Sequence, residues 1–128
     1  MPTIMVVDDS EEFRTPVAAA LERKGLKVII AADGEVALRL VEDEKPDLMI
    51  LDMVMPVVDG MTVLRRLRAR PATMNLPVIL LTARDDEQSL IAASELGAHC
   101  LLKYCVTMSE LYARVLARLN GAPSSAAV

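Results

Sequence analysis

Acidic, hydroxyl and amine side chains follow four short apolar runs in this sequence. Asp8 and Asp9 come directly after TIMVV, and Asp52 comes directly after LMIL. Thr82 ends the run VILLT, and Lys103 follows CLL. If these runs are parallel strands, their carboxyl ends lie at one edge of a sheet, which is where doubly wound sheets bind ligands. We therefore expect the five side chains to form one site.

The expected chemistry is phosphoryl transfer supported by a divalent cation. Three carboxylates in one place repel one another and raise each other's pKa unless a cation neutralises them. Oxygen ligands, with no His or Cys at metal-binding spacing, favour Mg²⁺, which keeps several waters and leaves room for a phosphate oxygen. Asp52 could then attack a phosphoryl group, with Lys103 supplying an ammonium and Thr82 a hydroxyl.

The elements that must position these residues alternate along the chain. Short runs that are apolar on both faces predict five buried parallel strands, and longer segments with apolar residues at helical spacing predict five helices. The predicted strands span 3–7, 27–31, 48–51, 78–82 and 100–102, and the helical patterns span 13–25, 33–45, 60–70, 85–97 and 109–121. Repeated strand, helix, strand units with right-handed crossovers predict an α/β fold: a doubly wound five-stranded parallel sheet with helices on both faces.

Proline and glycine predict where several helices begin and end. Gly25, Gly97 and Gly121 each follow a helical pattern, at the position where a left-handed C-cap favours glycine. Pro16 lies inside the first pattern, and an interior proline costs roughly 3 kcal/mol. Thr15 as N-cap and Pro16 as the first helical residue would avoid that cost. We therefore expect a first helix that starts late or is kinked.

The composition indicates one acidic domain. The chain has 128 residues, 53% of them hydrophobic, which suits a single domain over 1–121 and leaves 122–128 as a disordered tail or a truncated linker. The net charge of -4 argues against direct binding of nucleic acid or of an anionic membrane. With no run of 18 or more apolar residues, we expect a cytoplasmic protein. Cys100 and Cys105 match neither a disulfide framework nor a CxxC metal pair, so we expect buried thiols.

Several of these features together resemble one known family. The pair Asp8 and Asp9, the stretch LMILDMVMPVVDG, the run LLTA and the late Lys103 are similar to the receiver domain of two-component response regulators. The resemblance extends from about Thr3 to Leu119, nearly the whole chain. It implies the flavodoxin-like strand order 2-1-3-4-5.

The resemblance also implies a role for each matching residue. Asp52 would accept phosphate from a histidine kinase or a phosphotransfer protein. Thr82 would bind the phosphoryl group, and Lys103 would pair with it. The implied Mg²⁺ ligands are Asp9, Asp52 and the backbone carbonyl of Val54, with Asp8 helping through water.

A protein of this kind acts as a switch and catalyses only its own phosphorylation and dephosphorylation. Phosphorylation would change the surface around the last two strands and helices, and with it the affinity for a downstream protein or for an effector domain missing from this chain. The resemblance allows a monomer or a phosphorylation-dependent dimer. Val54 and Arg84 lie where the family tunes the lifetime of the phosphate, and an apolar Val with a long cationic Arg predicts slow self-hydrolysis.

The segment GAHCLLKYC departs from the family pattern GADDYLxKP. Aligned without a gap, Tyr104 takes the position of the lysine. A shift of one residue restores Lys103, but it places Cys100 at the usual aromatic position and Tyr104 at the usual proline position. We expect the shift, because a lysine side chain is the only local group that can neutralise the phosphoryl charge.

Two other functions are weighed against the switch. The irregular GAHCLLKYC segment favours a phosphorylation-independent interaction module, whereas the intact acidic triad argues against one. A magnesium phosphatase with an Asp nucleophile typically carries DxDxT, but here Val54 and Pro56 occupy the positions of the second Asp and the Thr.

Overall fold

The order of strands and helices is read from a computed structural model, which describes residues 1–83 and 87–121. The predictions for Arg84 and for 122–128 lie outside the described residues. The strands are β1 (Thr3–Val7), β2 (Lys27–Ala31), β3 (Leu48–Asp52), β4 (Val78–Thr82) and β5 (His99–Leu102). The helices in the described ranges are α1 (Glu11–Arg23), α2 (Gly34–Glu44), α3 (Gly60–Arg68), α4 (Glu87–Glu95) and α5 (Met108–Leu119).

The strands form one parallel sheet in the order β2-β1-β3-β4-β5, so both the predicted fold and the strand order are confirmed. The strand order reverses between β1 and β3, and a crevice opens at such a point outside the carboxyl ends of the strands. The register places Val7 beside Leu51 and Thr82 beside Leu102. The polar residues that follow these strands therefore lie at one edge.

Apolar side chains cover both faces of the sheet. One cluster packs α2, α3 and α4 against it, and a second packs α1 and α5 against the other face. Every residue of β3 and β4 is buried, which explains why their sequences are apolar at successive positions. The edge strands β2 and β5 are partly exposed. Among the described helices, none is both long enough and apolar enough to cross a membrane.

The first helix begins earlier than predicted. It starts at Glu11 with Ser10 at the N-cap position, and Pro16 lies inside it, so the expected late start at Pro16 was wrong, whereas the alternative, a kink, stays a prediction. The amides of Phe13 and Arg14 both donate to the Ser10 carbonyl, and two acids in the first turn suit the positive end of the helix dipole. Pro16 is exposed, so the carbonyl that it leaves without an amide donor can be hydrated.

The predicted glycine positions at helix ends are confirmed. Gly25, Gly97 and Gly121 have φ values of 88°, 77° and 81°, in the left-handed region that side chains disfavour. The Gly25 amide donates to the Glu22 carbonyl, and the Gly97 amide donates to the Ser94 carbonyl. These contacts close the ends of α1 and α4.

Candidate functional site

The side chains expected to do chemistry meet at the carboxyl edge of the sheet. Asp52 is the last residue of β3 and Thr82 the last of β4, whereas Asp8 directly follows β1 and Lys103 directly follows β5. Because these strands are parallel neighbours, their carboxyl ends open into the same crevice. A cleft of 710 Å³ lies there, and its lining includes Asp9, Asp52, Thr82 and Lys103.

Three carboxylates form the acidic part of the site. One oxygen from each of Asp8, Asp9 and Asp52 lies within 4.8 Å of the others. Asp8 is 1% exposed and Asp52 is 4% exposed, while Asp9 faces solvent. Buried carboxylates at this spacing repel one another, and an all-oxygen donor set suits a hard divalent cation. The donor chemistry of the cluster therefore fits Mg²⁺.

Among the described residues, Lys103 forms the ion pairs with these acids. Its Nζ lies 2.8 Å from Asp8 Oδ2 and 3.4 Å from Asp52 Oδ2, and its side chain is 6% exposed. Tyr104, the other candidate for the lysine position, is 77% exposed. The structure thus brings Lys103 to the carboxylates and leaves Tyr104 at the surface.

Burial and charge shift the pKa of the two groups that face each other across the site. Burial and the charge of Asp8 raise the pKa of Asp52 to about 6, although Lys103 and a hydrogen bond from the Val54 amide act in the opposite direction. Burial lowers the pKa of Lys103, but its hydrogen bond with Asp8 and the charges of Asp52 and Asp8 outweigh burial and raise it overall. Lys103 is therefore cationic at neutral pH, and a second positive charge near Asp52 would favour its ionised form.

Thr82 and Val54 line the same cleft from different sides. Thr82 is 1% exposed, and its carbonyl accepts a hydrogen bond of 2.8 Å from the Lys103 amide. This bond joins the end of β4 directly to the residue that carries the ammonium. Val54 is 64% exposed and lies two residues beyond Asp52, at the mouth of the cleft.

The loop after Asp52 is held by close packing against the end of β3. A Cβ added to Gly60 would collide with the Asp52 carbonyl oxygen and would approach Met53 Cα to 2.7 Å. The Gly60 amide donates to the Met53 carbonyl at 2.8 Å, and the Asp59 side chain caps α3 by accepting from the Thr62 amide. Glycine is needed here for close approach rather than for a left-handed backbone.

Two residues of α1 touch the site, and sequence reasoning did not assign them to it. The Phe13 ring centroid lies 4.5 Å from Lys103 Nζ. Arg14 Nη1 donates to the Asp8 carbonyl at 3.2 Å. Nothing in the helical pattern distinguishes these residues from other positions of an amphipathic helix, because their contacts are with residues distant in sequence.

The segment after β5 is less buried than expected from its sequence. Cys105 is exposed, so the prediction of a buried thiol was wrong for this residue, while Cys100 is partly buried and burial raises its pKa. The amides of Cys105 and Val106 both donate to the Leu102 carbonyl. These bonds form a turn that carries Cys105 away from the sheet.

Comparisons with known proteins identify relatives across most of the chain. Residues 4–116 match the family described as response regulator receiver domain. The chain is 42% identical over 126 residues to the alkaline phosphatase synthesis transcriptional regulatory protein PhoP of Bacillus subtilis, covering 95% of this chain and 52% of PhoP. It spans about half the length of the curated relatives it matches, which include AfsQ1 of Streptomyces coelicolor at 52%.

Solved structures with the same fold are similar over nearly the whole chain. A putative response regulator from Chloroflexus aurantiacus superimposes with a TM-score of 0.85 at 35% identity, covering 93% of this chain and 98% of that one. The Mn²⁺-bound form of the response regulator Rcp1 gives a TM-score of 0.75 at 28% identity, covering 90% and 89%.

Proposed function

The chain belongs to the receiver domain family of response regulators, and from this premise we propose that phosphorylation of Asp52 by a histidine kinase or a phosphotransfer protein switches its affinity for a partner. One observation carries the proposal. The buried Lys103 ammonium contacts Asp52 and Asp8 at the carboxyl edge of the sheet, in a cleft that Thr82 also lines. Such an arrangement supplies positive charge beside the Asp52 carboxylate, where negative charge accumulates during phosphoryl transfer.

The proposed reaction is a direct displacement at phosphorus. An Asp52 carboxylate oxygen forms a bond to phosphorus, the bond from phosphorus to the donor breaks, and the electron pair leaves with the donor. The Lys103 ammonium, which already lies beside Asp52, pairs with one of the new phosphoryl oxygens, and the Thr82 hydroxyl donates to another. These two residues stabilise charge that develops during transfer, which is the main catalytic contribution available to such a site.

Mg²⁺ is the proposed cofactor. Its proposed ligands are Asp9, Asp52 and the backbone carbonyl of Val54, with Asp8 helping through water. When bound there, Mg²⁺ supplies positive charge to the phosphoryl oxygens. Rcp1, one of the structural relatives, is described in a Mn²⁺-bound form, which supports binding of a divalent cation by this chain.

The wider role of the chain follows from the switch. PhoP is described as a transcriptional regulator about twice as long as the matched region, which supports control of an effector domain or of a separate downstream protein. We further propose a cytoplasmic location, a receiver domain over 1–121, and a monomer or a dimer that forms on phosphorylation. The exposed, apolar Val54 offers an attacking water no hydrogen bond, so slow self-hydrolysis is expected.

The test is phosphorylation by a small donor. The protein is incubated with Mg²⁺ and acetyl phosphate, and its intact mass is measured over time. The wild type should gain one phosphoryl group, Asp52→Asn should gain none, and Asp43→Asn, which alters an exposed acid of α2, should match the wild type. An unmodified wild type, or equal modification of Asp52→Asn, would overturn the proposal.

The phosphorylation-independent interaction module remains the other reading of the sequence. In that reading, the contacts of Lys103 with Asp8 and Asp52 have no role in the function of the protein. No feature of the described residues favours it over the switch.

A further inference from the structure

The Lys103 ammonium is enclosed on more than one side. Its Nζ lies 2.8 Å from Asp8 Oδ2 and 3.4 Å from Asp52 Oδ2, so carboxylate oxygens can accept two of its N–H groups. An ammonium has three N–H donors, and a side chain that is 6% exposed leaves little access for water to the third. The Phe13 ring also lies against this ammonium, with its centroid 4.5 Å from Nζ and Nζ over its face.

The Phe13 ring is held in place by its own packing. Phe13 is the third residue of α1, and it packs against the apolar cluster between the sheet and helices α1 and α5. It is the only Phe of the chain, which has two Tyr and no Trp. The Tyr104 ring also lies near this ammonium, at 5.6 Å. Two of the three Phe and Tyr rings in the sequence therefore flank one lysine.

We propose that Phe13 is a positioning residue for Lys103, holding its ammonium between Asp8 and Asp52 and thereby aiming it at the phosphoryl group that Asp52 accepts. This inference rests on the proposed function. A lysine side chain has four rotatable bonds, so its head group needs external contacts to occupy one place. A cation is attracted to the negative face of an aromatic ring, and the attraction is stronger where water is excluded. The ring thus restricts the ammonium before the donor binds.

The kinetic test compares substitutions that keep or remove the ring. In Mg²⁺ and acetyl phosphate, Phe13→Leu keeps an apolar side chain and is expected to slow phosphorylation of Asp52 roughly fivefold, as the loss of a partly desolvated cation–π contact implies. Phe13→Tyr keeps the ring and should retain the wild-type rate. Tyr112→Leu removes another ring of the same apolar cluster, one that lies 5.3 Å from Lys24 Nζ, and should leave the rate unchanged.

A double-mutant cycle separates positioning from packing. In a Lys103→Met background, Phe13→Leu should have no further effect on the rate, because the ring acts through the ammonium. Two results would show that Phe13 does not position Lys103. Phe13→Leu could be phosphorylated at the wild-type rate, or it could slow phosphorylation by the same factor in the wild-type and the Lys103→Met backgrounds. Phe13→Met serves in the same comparison if thermal unfolding shows that Phe13→Leu is not folded.

A second readout does not depend on phosphorylation. Amine-reactive acetylation in the absence of donor, followed by peptide mass analysis, measures how accessible Lys103 is, with Lys24 as an internal reference. Phe13→Leu should increase labelling of Lys103 severalfold, and Phe13→Tyr should not. Unchanged labelling of Lys103 in folded Phe13→Leu would contradict the inference. A wild type that acetyl phosphate does not modify would instead overturn the proposed function.

Discussion

The two ends of the proposed reaction site differ in how firmly the fold holds them. At the acceptor end, β3 is buried along its whole length, and Gly60 packs directly against the backbone of Asp52. At the opposite end, β5 has one fully buried residue, His99, while Leu102 is 44% exposed and Tyr104 is 77% exposed. The first region, β3 with the loop to Gly60, is the acceptor region; the second, His99–Cys105, is the lysine region.

This contrast matches what each region must do in a switch. Atoms that take part in phosphoryl transfer need fixed positions, because small displacements reduce the rate strongly. A surface that reports phosphorylation must move, and segments that move have few buried apolar contacts. The lysine region meets both demands only partly: its ammonium is buried, but the chain around it lies at the edge of the sheet.

The largest expected difference between the regions is in core packing. Leu51 is fully buried in β3, so Leu51→Ala should lower the free energy of unfolding by about 3 kcal/mol. Leu102→Ala removes the same atoms from the lysine region, where the side chain is 44% exposed, and should cost less than about 1 kcal/mol. Urea unfolding measures both. Equal losses would remove the distinction between the two regions.

A smaller difference is expected for glycine substitutions. Gly60→Ala forces a methyl group into the Asp52 backbone, so the loop must shift, at a cost of about 3 kcal/mol or slightly less. Gly25→Ala is the matched control: its φ is 88°, but no atom lies within 4 Å of the added Cβ, so only backbone strain of about 1 kcal/mol applies. Thermal unfolding compares the two. A Gly60→Ala variant as stable as Gly25→Ala would show that the acceptor loop tolerates movement.

The smallest expected effect concerns the charge of Asp52 without metal. Its pKa is raised to about 6 from 3.8, so the folded state binds the proton more tightly, and stability falls as pH rises from about 4 through about 6. A shift of this size corresponds to about 3 kcal/mol, and water in the cleft that Asp52 lines screens part of it. Asp52→Asn removes this loss and should be more stable than the wild type by about 2 kcal/mol at pH 7.5 in a chelator.

Saturating Mg²⁺ sharpens the same comparison. If Mg²⁺ binds as proposed, it stabilises the folded wild type, so the advantage of Asp52→Asn should shrink or reverse. Thermal unfolding of both proteins from pH 4 to pH 8, with and without Mg²⁺, measures this. If the stability of the wild type and of Asp52→Asn changes with pH in the same way without Mg²⁺, then ionised Asp52 does not destabilise the folded state.

Much of the fold was predictable because buried parallel strands require apolar residues on both faces. The runs that became the five strands were placed within one residue of their ends, and strand order followed from the family resemblance. The start of α1 was not predicted. Local propensity places Pro16 at a helix start, whereas the N-cap at Ser10 and packing of the helix on the sheet begin it at Glu11.

The sequence alone determined which chemical groups stand at the carboxyl ends of the strands, because apolar runs and the polar residues after them can be read directly. It also determined that the acids form one cluster, since parallel strands share an edge. The sequence favoured Lys103 over Tyr104 on chemical grounds alone, since alignment without a gap put Tyr104 at the lysine position. The tertiary structure decided between the two by placing the Lys103 ammonium against Asp8 and Asp52. The placement of Phe13 against that ammonium was likewise decided by tertiary packing, which joins residues far apart in the chain.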